Sequence, residues 1–167
     1  MATVFLESGD TFTLASNAGV VGSTGTETVK VQSGVEVTGN VGADTERVEF
    51  AGDLSEFQFE TVGVAVRVLD SNGDRVATFG DLTNSPELAF ADGAASLTQP
   101  QGGGAPQLGD ADIPDSASAV TPSDLPGDAS TVPVDGGAAT GGGGGTGGTF
   151  TLTEDQDVPS LTSGDDT

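Results

Sequence analysis

The 167-residue sequence contains no cysteine, histidine, tryptophan or tyrosine, and it has only four basic residues. Without cysteine there are no disulfide bonds and no thiol chemistry, and without histidine the most common zinc ligand and general base is also missing. A serine or threonine nucleophile would have to rely on Lys30, the single lysine. Paired carboxylates carry no information in so acidic a chain, so the sequence predicts a protein that is not an enzyme.

Long apolar runs are also missing, and none approaches the roughly 20 residues needed to span a bilayer. The first residues, MATVFLESGDTF, contain neither the basic region nor the apolar core of a signal peptide. We therefore expect no membrane span. The chain is expected to stay inside the cell, to leave it by a route without an N-terminal signal, or to be a trimmed form.

Acidic residues outnumber basic ones 26 to four, which gives a formal net charge of −22. A nucleic-acid partner is not expected, because phosphate binding requires a basic surface, and an anionic membrane surface is disfavoured for the same reason. Carboxylates do suit hard cations, above all calcium, which takes oxygen ligands. The alternative is that the charge only keeps the surface hydrated and the molecules apart.

The composition divides the chain near residue 98. Seven of the eight phenylalanines lie before that point, whereas seven of the eight prolines and 15 of the 27 glycines lie after it. A segment rich in Gly and Pro with few large apolar residues cannot bury enough apolar surface to offset the conformational entropy that it would lose on folding. The sequence predicts a β-rich domain over residues 2–98, a flexible acidic low-complexity linker over 99–148, and a short β segment over 149–167.

Short bursts of alternating apolar and polar residues between Glu27 and Phe79 predict many short strands, and hence an all-β domain. From Thr28 onward the bursts recur every six or seven residues, at Val29, Val35, Val41 and Val48. This period fits a β-solenoid, and it fits a meander of hairpins or a small sandwich as well. The Gly- and Ser-rich stretch Ser16–Thr26 is expected to be a loop.

The clearest local signal is Asn72-Gly73, which predicts a type I′ turn and a hairpin between strands 64–69 and 75–79. Glu56–Val62 is the expected third strand of that sheet. The turn also contains Asp70, Asn72 and Asp74, whose alternate spacing is that of the first ligands of an oxygen-ligand calcium loop. The other interpretation is a hairpin turn in which the same side chains bind the backbone.

The C-terminal residues add a second candidate site. Thr149–Leu152 (TFTL) repeats Thr11–Leu14, and the chain ends in Leu161–Thr167 (LTSGDDT). Residues 149–167 resemble the entry to the hemolysin-type calcium-binding (RTX) repeats of bacterial secreted proteins. The region Arg47–Leu97 resembles a β-rich module that accompanies such repeats in S-layer-like surface proteins. This resemblance implies calcium ligands at Gly164, Asp165 and Asp166.

The resemblance also implies type I secretion and a place outside the cell, at the bacterial cell surface. We therefore expect a non-enzymatic structural or adhesive module that depends on calcium and contacts other subunits or cell-surface components, with a homo-oligomer possible. One alternative is a module that polymerises by adding residues 149–153 to the sheet of a neighbour. Another is an accessory domain of a secreted hydrolase.

Overall fold

The computed structural model describes residues 2–39, 41 and 44–133, and these residues form an all-β protein, as predicted. Apart from a single 3₁₀ turn at Leu54–Glu56, the regular elements in these ranges are twelve strands. In chain order they are β1 (Ala2–Phe5), β2 (Thr11–Leu14), β3 (Ala18–Val21), β4 (Thr28–Val31), β5 (Arg47–Phe50), β6 (Phe57–Val62), β7 (Ala65–Asp70), β8 (Arg75–Phe79), β9 (Glu87–Phe90), β10 (Gly93–Thr98), β11 (Gln107–Leu108) and β12 (Ala111–Asp112). In the same ranges, no helix is long and apolar enough to cross a membrane.

The first half of the chain winds as a parallel coil. Strands β2, β4 and β5 pair in parallel, and Thr11, Thr28 and Arg47 are successive register partners, so the coils take 17 and 19 residues. On the opposite side β1 pairs in parallel with β3, and Ala18 bridges in parallel to Val37. The predicted bursts at Val29 and Val48 therefore lie on one side of the coil, whereas Val37 and Val41 lie on the other, beside β8, so one turn of the coil does not correspond to one burst.

Antiparallel strands complete both layers. The seven-stranded sheet has the order β12-β11-β10-β9-β5-β4-β2, and β6-β7-β8 form an antiparallel meander. Backbone hydrogen bonds from Val37 N to Val76 O (2.8 Å) and from Val41 N to Thr78 O (2.6 Å) join this meander to the coil. For the stretch Val29–Phe50 the solenoid-like alternative is therefore the one present, and the separately predicted hairpin sheet follows it.

One apolar core lies between the two layers. Apolar residues that alternate along β4 and β5 point into it, as the pairing of Val29 with Val48 shows, and both are at most 1% exposed. Four phenylalanine rings from both layers meet in its centre, and they are Phe50, Phe57, Phe59 and Phe90. The core therefore ties the coil to the meander.

Residues 99–133, which we name the C-terminal arm, are packed on the domain, and this corrects the predicted linker over that range. The arm buries four apolar side chains to 6% exposure or less, namely Leu108, Ile113, Val120 and Val132. Its backbone pairs with two strands: Ser118 exchanges hydrogen bonds with Phe59 in β6, and Gly127 with Ala94 in β10. Few but well-spaced apolar residues thus suffice when the backbone adds to existing edges. The rest of the predicted linker and the predicted segment 149–167 lie outside the described residues.

Glu49 anchors the arm on the outer face of β5. Its carboxylate is 6% exposed and accepts hydrogen bonds from Thr131 N and Oγ1, both at 2.8 Å, and from Arg47 Nε at 3.0 Å. Arg47 also pairs with Glu87 and donates to the carbonyl of Asp128 at 2.7 Å. Burial disfavours the charge of Glu49, but the hydrogen bonds outweigh it and hold the pKa of Glu49 below its usual range.

A Glu49→Gln variant is expected to unfold more easily at neutral pH, by about 1–3 kcal/mol, because hydrogen bonds to a charged group are lost. Since the pKa of Glu49 is lowered by folding, its contribution is present above the ordinary carboxyl pKa and is lost as pH falls through the folded value. When the pH is lowered from neutral to below about 4.5, the free energy of unfolding in urea should therefore decrease less for the variant than for the native chain.

Glu60→Gln is the matched control, because Glu60 pairs with Arg67 at 3.1 Å and the Arg67 side chain is 39% exposed. An exposed pair of this kind contributes about 0–1 kcal/mol. Equal losses in the two variants would contradict the anchoring role of Glu49.

Candidate functional site

The predicted ligands Asp70, Asn72 and Asp74 lie together in the turn between β7 and β8. Asp70 Oδ1 accepts hydrogen bonds from Asn72 N (2.8 Å) and Asp74 N (2.9 Å), and Oδ2 accepts one from Asn72 Nδ2 (3.2 Å). Burial opposes the charge of Asp70, but these donors outweigh it and lower the pKa of the carboxyl. Both carboxylate oxygens are thus directed at the donors of the turn itself, as in the hairpin interpretation.

The hairpin prediction is confirmed, but the turn is not of type I′. Only Gly73 has a positive φ, of 86°, whereas a type I′ turn needs positive φ at both central residues. In the described part of the chain, no group of three or more acidic, His or Cys side chains is placed to hold a metal ion. Calcium at the Asp70 turn stays a prediction, and the ligands predicted at Gly164, Asp165 and Asp166 lie outside the described residues.

A cleft of about 250 Å³ lies beside this turn, between β4, β5 and β8. Three of its charged side chains already have partners, and Asp70 is one of them. Glu56 accepts a hydrogen bond from Asp53 N at 3.0 Å, and Arg75 pairs with Glu36. These three side chains stabilise the local fold, and neither serine of the lining donates a hydrogen bond to a carboxylate of the described residues, as an activated nucleophile would.

A second acidic group, which the sequence analysis did not single out, is formed by Glu27 and Glu46. Each residue comes directly before a strand of the coil, and the register Thr28–Arg47 places them side by side. Neighbouring strands of a sheet are about 4.8 Å apart, so the two carboxyl groups meet. Glu46 Oε2 accepts a hydrogen bond from Glu27 N at 2.9 Å, and the side chains contact each other. The parallel coil thus builds this pair by stacking equivalent corners.

Glu27 is completely buried, with 0% of its surface exposed. The Ser23 hydroxyl donates to Glu27 Oε1 at 2.6 Å, and this hydrogen bond lowers the pKa of Glu27. Burial, together with the Glu27 carboxyl beside it, raises the pKa of Glu46. Two carboxylates in contact cannot both be charged without compensation, so the pair requires either a shared proton or a cation.

Two buried oxygens near this pair have no hydrogen-bond partner, namely Glu27 Oε2 and Thr45 Oγ1. Thr45 is also 0% exposed, and its hydroxyl faces the Gly22–Ser23 turn, where a Cβ on Gly22 would lie 3.0 Å from it. The four bases pair with other acids: Lys30 and Arg47 with Glu49, Arg67 with Glu60, and Arg75 with Glu36. The pair therefore presents two carboxylates and neighbouring hydroxyl groups, which are oxygen ligands of the kind that calcium takes.

Comparison with known proteins gives no relatives: no family model, curated protein or solved structure matches this chain significantly. The resemblance to hemolysin-type repeat proteins rests on the residues quoted for it and stays a prediction. Any function must therefore be argued from the geometry of the chain itself.

Proposed function

We propose that this chain is a non-enzymatic structural or adhesive module of a bacterial cell surface or extracellular matrix, and that calcium orders it. The observation that carries the proposal is the pair of buried Glu27 and half-buried Glu46, which has no basic partner and in which one carboxylate oxygen of Glu27 is unpartnered. A coil of short strands around an apolar core is a scaffold suited to such a role. Export by type I secretion and contacts with other surface components belong to the same proposal.

Calcium acts here by cancelling the repulsion between two stacked corners of the coil. A cation between Glu27 and Glu46 links the connections that precede β4 and β5, and the Thr45 and Ser23 hydroxyls supply further oxygens. Because the unfolded chain does not hold these groups together, the bound cation stabilises the folded state by mass action. Concentrations of calcium outside cells would then favour the ordered coil.

Calcium is expected to raise the melting temperature of the native chain selectively. At a concentration 100 times the dissociation constant, mass action adds about 2.7 kcal/mol, which corresponds to roughly 5–10 °C for a chain of this size. A Glu46→Gln variant should melt at least as high as the native chain in chelator, because the neutral amide removes the repulsion. It should gain nothing from calcium. Titration calorimetry and circular dichroism in physiological salt measure both effects.

Asp70→Asn is the matched control, since it removes the same charge from the alternative candidate site. It should leave the calcium-dependent shift of melting temperature unchanged. Loss of the shift in Asp70→Asn but not in Glu46→Gln would assign calcium to the hairpin turn instead. A shift that magnesium reproduces and salt removes would mean that the acidity attracts counterions only, and the proposal would then be wrong.

A second candidate function is assembly of copies by strand addition, and the coil has a feature that favours it. β2 is the last strand of the seven-stranded sheet, and β1 pairs only with β3 among the described strands. An unpaired edge is a template for a strand from another chain. If residues 149–153 of a neighbour fill it, a chain without residues 148–167 should no longer assemble in sedimentation experiments.

A further inference from the structure

The coil has an open end, formed by β1 and β2. Each is the outermost strand of its sheet, so on one side its backbone donors and acceptors face no other described strand. Between the two strands lies an apolar hollow of about 60 Å³, lined by Val4, Phe12, Leu14 and Ala18 among others. Val4 and Phe12 are only partly buried although they pack on the core.

The apolar side chains and unpaired backbone groups at this end are expected to be covered by another segment. A coil buries its apolar faces by stacking one turn on the next, so the terminal turn is left with one face unburied. Natural β proteins protect these edges with a strand, a loop or charged residues. In β1 and β2 the side chains are Ala, Thr, Val, Phe and Leu, without a single charge. The end therefore has the composition of a surface that another strand covers.

The chain carries a second copy of the sequence found at this end. Residues 149–152 read Thr-Phe-Thr-Leu, identical to β2. In the first two turns of the coil, a buried residue at the end of a strand is followed six residues later by a valine of the opposite layer, as in Leu14/Val20 and Val31/Val37. The C-terminal sequence repeats this spacing with Leu152 and Val158. The repeat therefore matches a turn of the coil beyond the four shared residues.

The open edge is within reach of this segment in the same chain. Thr131 is bound to Glu49 in β5, and the sheet order β5-β4-β2 places the outer side of β2 three strand spacings away, about 14 Å. Residues 134–148 separate the arm from Thr149, and 15 residues can span up to about 50 Å. A tether of this length gives the segment an effective concentration of about millimolar at β2. A segment on a separate molecule would reach the same occupancy only if that molecule were present at about millimolar concentration.

We propose that residues 149–152 pair in parallel with β2 of the same chain and close the open end of the coil. In the register of the other parallel pairs, Thr149 lies beside Thr11 and Leu152 beside Leu14. Phe150 and Leu152 then cover Phe12 and the apolar hollow, while Thr151 lies on the outer face with Thr13. This closure is independent of the calcium proposal, because it involves neither Glu27 nor Glu46.

Because the chain has no cysteine, introduced pairs of cysteines can test this pairing without competing thiols. A double variant, Thr13→Cys with Thr151→Cys, places two thiols on neighbouring strands, about 5 Å apart at Cα, where a disulfide forms without distortion. Mild oxidation of the full chain in chelator should give a monomer linked within itself, seen by non-reducing electrophoresis and peptide mass mapping. Thr11→Cys with Thr149→Cys tests the same register at a second position and should link to a similar extent.

Asp112→Cys with Thr151→Cys is the matched control, since Asp112 lies in β12 at the opposite edge of the same sheet. It should link at least tenfold more slowly. Linked oligomers instead of linked monomers would contradict closure within the chain and favour assembly between copies. Equal linking to both edges, or no linking at either Thr11 or Thr13, would overturn the proposal. Because chelator is present throughout, none of these results depends on calcium.

Discussion

A chain that ends after Thr98 is expected not to fold cooperatively, although composition alone places the end of the domain there. The arm that it lacks buries Leu108, Ile113, Val120 and Val132 against the sheets. Full burial of an aliphatic side chain contributes about 1.5–3 kcal/mol, so these four together contribute roughly 6–12 kcal/mol. That range is comparable with the whole stability of a typical domain, about 5–15 kcal/mol.

Removal of the arm also uncovers strands that are paired in the intact protein. β6 would lose Ser118, which bonds Phe59 at 2.8 and 3.1 Å, and β10 would lose both β11 and Gly127. Gly127 packs so tightly that a Cβ there would lie less than 3.0 Å from the Ala94 side chain. We therefore expect aggregation as well as loss of structure. Circular dichroism and sedimentation of residues 1–98 measure the two effects.

The matched control ends after Pro133, so it keeps the whole arm and should unfold in one cooperative transition. Ile113→Ala tests the same packing in the full chain, and we expect it to cost about 2–5 kcal/mol as measured in urea. A 1–98 chain with a sharp transition near that of the control would contradict the role of the arm and restore the predicted boundary.

Local patterns in the sequence were sufficient for the class and for the antiparallel meander. The hairpin around Gly73 was predictable because its strands and turn are neighbours in the chain. The third strand, Phe57–Val62, was predictable for the same reason. Parallel pairing of β4 with β5 was left open, because the sequence pattern of a strand does not reveal whether its partner follows after a hairpin or after a full coil.

β3 and the arm were missed because their order depends on distant partners. β3 lies in the Gly- and Ser-rich stretch expected to be a loop, and it forms because β1 supplies its backbone partners. The arm was predicted to be flexible from its composition, yet four spaced apolar residues fill sites on a core that already exists. Composition indicates whether a segment can form a hydrophobic core of its own. The arm does not need a separate core, because it packs on the core of the domain.

In the candidate site, too, contacts between residues close in the sequence were predictable, whereas contacts between distant residues were not. Asp70, Asn72 and Asp74 were brought together correctly, since they share one turn, but the sequence could not show that the turn's own donors occupy Asp70. Glu27 and Glu46 are 19 residues apart, and only the coil register makes them neighbours. The signal that could have found them is the pattern Glu-x-Val-x-Val or Glu-x-Val-x-Phe, which occurs at Glu27–Val31 and Glu46–Phe50.

Phe90→Ala is expected to be the most destabilising single substitution, with a loss of about 3–5 kcal/mol in the free energy of unfolding. Phe90 is 0% exposed, and its ring centre lies 5.6 Å from that of Phe50, 5.5 Å from Phe57 and 6.2 Å from Phe59. Phe50 belongs to the coil, whereas Phe57 and Phe59 belong to the meander. Loss of the central ring therefore leaves a cavity where the two layers meet.

Phe5→Ala is the matched control, because the same atoms are removed from a side chain that is 75% exposed. It should change stability by no more than about 0.5 kcal/mol. Urea unfolding must be followed by circular dichroism, since the chain has neither tryptophan nor tyrosine. If the two layers fold as one unit through this cluster, Phe90→Ala lowers the midpoint and retains a single transition. Two separate transitions would mean that the coil and the meander are independently stable, and the phenylalanine cluster would then contribute packing without coupling the layers.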